Sequence, residues 1–217
     1  MIKILVVDDH ELVRMGISRM LGDVKEYEVV GEAENGEEAV KLTRALHPHV
    51  VLMDVKMPGI GGLEATKKLL AHDPKVKIIA VTACEDDLYP ERLMKAGALG
   101  YLTKGASLDE MIRAINTVMK DKPYMSTEIA QQLALKKFSG QETTESPFDA
   151  LSERELQTAI HIANGLKAPE IANIFCVSPK TVNSYRYRIF EKLDINSDVE
   201  LALLAVRYNV REVEIVQ

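Results

Sequence analysis

Four short apolar runs punctuate the first half of the chain: Ile2-Lys3-Ile4-Leu5-Val6-Val7, Val50-Val51-Leu52-Met53, Val76-Lys77-Ile78-Ile79-Ala80-Val81 and Leu99-Gly100-Tyr101-Leu102. Each is too short for a helix and most are rich in β-branched residues, the pattern of buried parallel strands. Tyr27 to Ala33 reads as a further strand. Between these runs the apolar positions change to helical spacing. Leu12, Val13, Gly16, Ile17, Met20 and Leu21 follow the first strand, and Ala39, Val40 and Leu42 follow Asn35, a natural helix cap. Leu63, Leu69 and Leu70 mark a third helix, and Tyr89 to Ala96 a fourth. Ser107 with Glu110 has the capping-box spacing and opens a fifth, bearing Met111, Ile112, Ile115 and Val118. Strict alternation of strand and helix predicts an α/β domain of five βα units from Met1 to about Met119.

The pattern then changes. A short helix is predicted from Ser126 to Phe138, followed by a polar stretch, Ser139 to Pro147, with the composition of a linker. From Leu151 onward there is no strand signal, and four helices are punctuated by their caps. Ser152 with Glu155 and Ser197 with Glu200 repeat the capping-box spacing, Ser178-Pro179 pairs a cap with proline at the first helical position, and Gly165 ends the first helix. The predicted domains are therefore 1–121, a linker with a short helix at 122–148, and an all-α domain at 149–217.

Composition narrows the class. The 217 residues suit two ordinary domains. No apolar stretch approaches a membrane span, and the chain opens directly into a predicted strand with neither basic leader nor cleavage site, which reads as cytoplasmic. Cys84 and Cys176 are far apart and lack metal-ligand spacing, so both read as reduced thiols. A net charge of −6 argues against chain-wide affinity for nucleic acid and leaves only a local basic surface for it.

The polar residues that end the strands carry the candidate chemistry. Asp8 and Asp9 follow the first run, Asp54 the third strand, and Thr82 and Lys104 the last two. In an open α/β sheet, ligands bind beyond the carboxyl ends of the strands, where the strand order reverses. An Asp-Asp pair after a strand is by itself more often a turn or a cap. In register with Asp54, Thr82 and Lys104 it reads instead as a phosphate-handling site.

These residues carry a resemblance over essentially the whole chain. Val6-Val7-Asp8-Asp9-His10, Met53-Asp54-Val55-Lys56-Met57-Pro58-Gly59, Val81-Thr82-Ala83 and Gly100-Tyr101-Leu102-Thr103-Lys104 resemble a CheY-like receiver. Leu151-Ser152-Glu153-Arg154-Glu155, Glu170-Ile171-Ala172, Val177-Ser178-Pro179-Lys180-Thr181-Val182 and Lys192-Leu193 resemble a LuxR-type helix-turn-helix. Together they resemble a two-component response regulator of the NarL/FixJ family, and Ser178 to Phe190 is most similar to the GacA/UvrY/VarA group.

The resemblance implies a flavodoxin-like parallel sheet of order 2-1-3-4-5, the order that CheY itself has. It implies Asp54 as phosphoacceptor and an acidic pocket of Asp8 and Asp9. Mg2+ would be held by Asp9, Asp54 and the backbone carbonyl of Lys56, with Asp8 acting through water. Thr82 and Lys104 would meet the phosphoryl oxygens, and Tyr101 would swing inward as Thr82 moves toward the phosphate. Tyr101 is equally readable as a packed aromatic, and His10 as an ordinary helix-start residue. Lys56 and Cys84, two residues beyond Asp54 and Thr82, would border the phosphoryl group.

In the C-terminal domain Ile171, Ala172, Ile174 and Phe175, a tight turn at Cys176-Val177, and Pro179 to Leu193 form the two-helix unit whose second helix enters the major groove. Val182, Ile189 and Leu193 form its buried stripe, with Phe190 beside it. On the other side lie Lys180, Asn183, Ser184, Tyr187 and Arg188. Such a face is usually only solvated. Here it is basic while acids such as Glu153, Asp198, Glu212 and Glu214 lie elsewhere, an asymmetry that favours DNA. Lys180, Thr181, Tyr185 and Arg186 are expected on phosphates, and Asn183, Ser184, Tyr187 and Arg188 nearer base edges. Few basic side chains imply weak monomer binding and hence a homodimer on a roughly palindromic site, with Leu201, Leu204 and Ala205 either pairing between subunits or packing on their own domain.

The implied partners are a sensor histidine kinase of the BarA/GacS hybrid type, promoter DNA and RNA polymerase. The implied targets are genes for small regulatory RNAs that antagonise a CsrA/RsmA-type translational repressor. Two other readings remain open. One is a receiver regulator acting without phosphate, against which the intact Asp8, Asp9, Asp54, Thr82 and Lys104 set argues. The other is a phosphohydrolase of haloacid-dehalogenase type, which needs an Asp-x-Asp pair. In this chain Asp8 and Asp9 are adjacent, their side chains diverge, and the protein reads as no enzyme.

Overall fold

The structure, a computed structural model, describes residues 1–82, 89–138, 146–175, 177–208 and 210. Cys84, Cys176, Glu212, Glu214 and residues 139–145 of the expected linker lie outside the described residues. Two units are formed, Met1–Glu142 and Thr143–Gln217.

In the first unit, β1 (Ile2–Val7), β2 (Tyr27–Ala33), β3 (Val50–Asp54), β4 (Lys77–Thr82), β5 (Gly100–Thr103) and β6 (Tyr124–Met125) join one sheet of order β2-β1-β3-β4-β5-β6. Every pairing is parallel. The connections are α1 (Glu11–Gly22), α2 (Gly36–Leu46), α3 (Gly61–His72), α4 (Tyr89–Lys95) and α5 (Leu108–Val118), and α6 (Thr127–Phe138) follows β6. The order reverses between β1 and β3, so the switch point lies where Asp8 and Asp54 end their strands.

Strand alternation sorts the core. Ile4 and Val6, Val50 and Leu52, Ile79 and Val81, and Leu102 pack with Ile17 and Leu21 of α1 and Met111, Ala114, Ile115 and Val118 of α5. The intervening residues Leu5, Val7, Val51, Met53, Ile78, Ala80 and Tyr101 are buried on the other face. Side-chain caps set the helix starts. Asn35 accepts from the Glu38 N–H at 2.8 Å and Ser107 from the Glu110 N–H at 3.3 Å.

The sheet exceeds the five expected strands by one. Tyr124 N–H donates to the Leu99 carbonyl (2.9 Å) and Ser126 N–H to the Tyr101 carbonyl (3.0 Å), adding β6 beside β5. A two-residue strand is too short to show a period of two, and Pro123 before it reads as a loop.

The second unit holds α7 (Glu153–Ala163), α8 (Ala168–Phe175), α9 (Pro179–Leu193) and α10 (Asp198–Arg207), preceded by a 3₁₀ turn at Pro147–Ala150. That turn falls at the end of the expected linker. It buries Phe148, whose ring meets Tyr208 edge-on at 6.3 Å. Gly165, at φ +88°, follows the end of α7 in the left-handed region that glycine adopts without strain. Among the described residues, no helix is long and apolar enough to cross a membrane.

Candidate functional site

The site follows from the strand ends. Asp8 follows β1, Asp54 closes β3, Thr82 closes β4 and Lys104 follows β5, so adjacent strands deliver four polar side chains to one edge of the sheet. The carboxylates of Asp8, Asp9 and Asp54 and a ring nitrogen of His10 each offer an atom within 4.8 Å of the others. Lys104 Nζ lies 2.8 Å from Asp8 Oδ2 and 2.9 Å from Asp54 Oδ2. Lys56 N–H donates to Asp54 Oδ1 at 3.3 Å, and Lys104 N–H donates to the Thr82 carbonyl at 2.6 Å, tying the ends of β4 and β5 together.

Burial and charge oppose each other here. Asp8 and Asp54 are 1% and 2% exposed, whereas Asp9 is exposed. Burial pushes the Asp54 carboxyl up to about 7; the hydrogen bond from Lys104 works against this, and the neighbouring Asp8 and Asp9 charges add to it. Burial works to lower the Lys104 ammonium, but its bonds to Asp8 and Asp54 outweigh that and hold its pKa above the ordinary value. The result is an acidic nest in which Lys104 is shared between two carboxylates, short of positive charge among the described residues.

The backbone under Asp54 depends on a glycine. A Cβ on Gly62 would stand 2.1 Å from the Asp54 carbonyl oxygen and 2.9 Å from Val55 Cα, while the Gly62 N–H donates to the Val55 carbonyl at 3.0 Å. Only glycine lets the start of α3 close on the end of β3 this tightly.

His10 both precedes α1, as expected of a helix-start residue, and reaches the acidic group. Its Nδ1 lies 2.8 Å from Asp9 Oδ1 and 3.4 Å from Asp8 Oδ1. Thr82 is buried at the mouth of the site, and Tyr101 is fully buried on the sheet face opposite Leu102.

In the second unit α9 is capped by Ser178, whose Oγ accepts the Thr181 N–H at 3.1 Å. Val182, Ile189 and Leu193 are buried and Phe190 is partly covered. Lys180, Ser184, Tyr187 and Arg188 are exposed, with Asn183, Thr181 and Tyr185 flanking them and partly buried. Thr181 and Ser178 share a hydroxyl contact at 2.9 Å, and Ser184 Oγ donates to the Lys180 carbonyl at 3.0 Å. Arg186 is not with this group. At 100° per residue it stands about 40° from Val182, on the buried side. Its Nε and Nη2 donate to Asp198 Oδ1 and Oδ2, each at 2.8 Å.

Two structural features went unforeseen. Glu155 at the start of α7 is buried and receives the Lys192 ammonium at 2.6 Å and the Ser152 N–H at 2.8 Å, which fastens α9 to α7. Burial raises the Glu155 carboxyl, but these bonds outweigh it and leave its pKa below the usual value. The other is on α10: Leu201 and Ala205 are buried and Leu204 is partly buried, as the alternative of packing on their own domain expects, but Val199, Leu203 and Val206 form a second apolar strip that is 70%, 66% and 56% exposed.

Comparison with known proteins agrees with this layout. The family model "Response regulator receiver domain" matches residues 4–116, and "Bacterial regulatory proteins, luxR family" matches residues 149–205. The chain is 62% identical over 210 residues to the response regulator GacA of Pseudomonas aeruginosa, covering 97% of this chain and 98% of that one. It is 52% identical over 214 residues to the response regulator UvrY of Escherichia coli K12, covering 99% and 98%. A solved structure of two RcsB dimers bound to two parallel DNAs shares the fold at a TM-score of 0.59 and 24% identity, covering 94% of this chain and 98% of that one.

Proposed function

The chain belongs to the two-component response regulators that join a receiver to a LuxR-type DNA-binding domain, and from that premise we propose that phosphorylation of Asp54 by a sensor histidine kinase switches on dimeric binding to promoter DNA. Its relatives bear the names of response regulators, which places it among transcription regulators rather than enzymes. The observation that carries the phosphoacceptor reading is Lys104, held between Asp8 and Asp54 at the mouth of a buried acidic group.

The transfer needs little covalent work from the protein. An Asp54 carboxylate oxygen attacks the phosphorus of a phosphohistidine. A P–O bond forms as the P–N bond breaks, and its electron pair leaves with the imidazole. Lys104 then shifts part of its attention from carboxylate to phosphoryl oxygens, and the Thr82 hydroxyl donates to another of them. Tyr101, expected to swing inward, is already fully buried, so as Thr82 is drawn to the phosphate the tyrosine would repack into the space it vacates and alter the surface beside β5.

Converging carboxylates with a raised Asp54 pKa fit a hard divalent cation, and Asp9, Asp54 and the Lys56 carbonyl would hold Mg2+ with Asp8 acting through water. When bound, Mg2+ supplies the positive charge that the transferring phosphoryl oxygens need beyond Lys104.

On the DNA side, Lys180, Thr181 and Tyr185 would touch phosphates, and Asn183, Ser184, Tyr187 and Arg188 base edges of the major groove. Two subunits would meet through Val199, Leu203 and Val206 of α10, spaced for one helix face and left open to solvent. Likeness to GacA and UvrY supports a BarA/GacS-type hybrid kinase, action in the cytoplasm with RNA polymerase, and promoters of small regulatory RNAs that antagonise a CsrA/RsmA-type repressor. The test is incubation with acetyl phosphate and Mg2+. Mass spectrometry should locate the phosphoryl group on Asp54, and DNA selected from a random pool should bind more tightly afterwards; phosphate found elsewhere, or unaltered DNA binding, would overturn the reading.

A further inference from the structure

Arg186 is the residue of α9 that resists a simple DNA-contact role. Its guanidinium makes a two-pronged bond to Asp198, with both contacts at 2.8 Å, and lies 5.1 Å from the centroid of the Phe190 ring. The fork is thus held on one side by a carboxylate and on the other by an aromatic face, both from its own domain. Asp198 is the first residue of α10, where the free N–H groups of the helix favour an anion. Ser197 caps the same turn by accepting the Glu200 N–H at 3.2 Å. Beside the pair lies a recess of about 320 Å³, lined by Ile162, Leu166, Lys167, Ile171 and Val182 as well as the pair. The recess leaves the pair's side of the start of α10 open, and although α9 and α10 both also pack on α7, the clasp ties the two helices to each other directly at this point.

The position of the clasp has a consequence for DNA reading. Asp198 is the immediate neighbour of Val199, the first residue of the exposed strip on α10. One end of the clasp is therefore on the helix that reads bases and the other at the root of the helix that meets the second subunit. In a symmetric dimer, a small change in the angle between those helices shifts the two reading helices in opposite directions, and the separation of the half-sites changes with it.

We propose that Arg186 is a positioning residue: through its forked pair with Asp198 it fixes α10 against α9 and so sets the half-site spacing that the dimer accepts. This rests on the dimeric DNA reading given above. The planar fork is essential, because a lysine at this position keeps the charge but supplies only a point contact.

The experiment is selection of binding sites from random DNA by the full phosphorylated chain, comparing wild type with Arg186→Gln, Arg186→Lys, Asp198→Asn and the Arg186→Gln/Asp198→Asn double variant. Wild type should return two half-sites at one dominant spacing. Each single variant should keep the same bases within the half-site but lose roughly tenfold of its discrimination between that spacing and its neighbours, with the double variant no worse than either single. Arg186→Lys should behave like Arg186→Gln.

If Arg186 instead serves as a phosphate contact, Arg186→Lys retains wild-type behaviour, Arg186→Gln weakens even a single half-site, and Asp198→Asn leaves the spacing alone. That result overturns the proposal. Unaltered spacing in all four variants overturns it too, while leaving the dimeric reading intact. A wild-type selection that returns only single half-sites overturns the dimeric reading, and this inference with it. The two side chains are 39% and 48% exposed, so the variants should fold, and circular dichroism of each verifies it.

Discussion

Lys104 Nζ sits 2.9 Å from Asp54 Oδ2 and holds Asp8 Oδ2 at 2.8 Å in the same grip, so one ammonium is shared between two carboxylates that burial and mutual repulsion oppose. That sharing leaves the acidic group short of positive charge among the described residues, which suits a site built to receive a divalent ion and a phosphoryl group in turn.

Removing the ammonium should separate binding from transfer. Lys104→Ala should still accept a phosphoryl group, because Asp54 remains, but about a hundredfold more slowly, by analogy with the loss of one preorganised electrostatic donor elsewhere. Time courses with acetyl phosphate measure the rate, and a rate within twofold of wild type would remove Lys104 from the mechanism.

The raised Asp54 pKa makes the ion-free protein sensitive to pH. Its ordinary value is 3.8 and its folded value about 7, so between these limits the folded chain holds a proton that the unfolded chain has lost. Folding stability should therefore fall as pH climbs through that window, by at most about 4 kcal/mol at 1.36 kcal/mol per unit. Asp54→Asn should abolish this slope and gain most above pH 7. Urea unfolding in chelator at pH 5 and pH 8 gives both numbers.

Gly62→Ala should damage the site from beneath. With its Cβ placed 2.1 Å from the Asp54 carbonyl oxygen, something in the backbone must shift, at a cost of about 1–3 kcal/mol. A lowered unfolding midpoint together with slower phosphorylation of Asp54 is the expected outcome; an unchanged pair of measurements would contradict the close approach.

Leu203→Asp changes an exposed residue of α10 and should spare the fold. If Val199, Leu203 and Val206 join two subunits, the variant should sediment as a monomer when phosphorylated and bind a two-half-site DNA at least about tenfold more weakly, with single half-site binding unchanged.

Lys180→Ala should weaken binding almost equally on all sequences. Its salt dependence should become shallower by about 0.9 in the slope of log K against log salt, the share of one phosphate contact. A sequence-dependent loss instead would move Lys180 from the phosphates to a base edge.

Much of the receiver-like edge was legible because its signal is local. Asp8, Asp54, Thr82 and Lys104 each stand at the end of an apolar run, and a strand ending in a polar residue is visible without knowing its neighbours. The caps Asn35, Ser107, Ser152, Ser178 and Ser197 were legible for the same reason, and each accepts a first-turn N–H of its helix. The residues that escaped depend on tertiary contact. Both Leu201 with Ala205 and Val199 with Leu203 are apolar at helical spacing, and only packing decides which pair faces the core. Arg186 was half legible: its angle to Val182 was readable from the helical period, but its partner Asp198 lies across a turn. β6 escaped because two residues carry no period.

The most direct test of the central claim is genome-wide occupancy of this protein in its own cells beside Asp54→Ala at equal expression. The account predicts a few strong sites upstream of small regulatory RNA genes, lost in the variant. Occupancy unchanged by Asp54→Ala would contradict phosphate control of DNA binding.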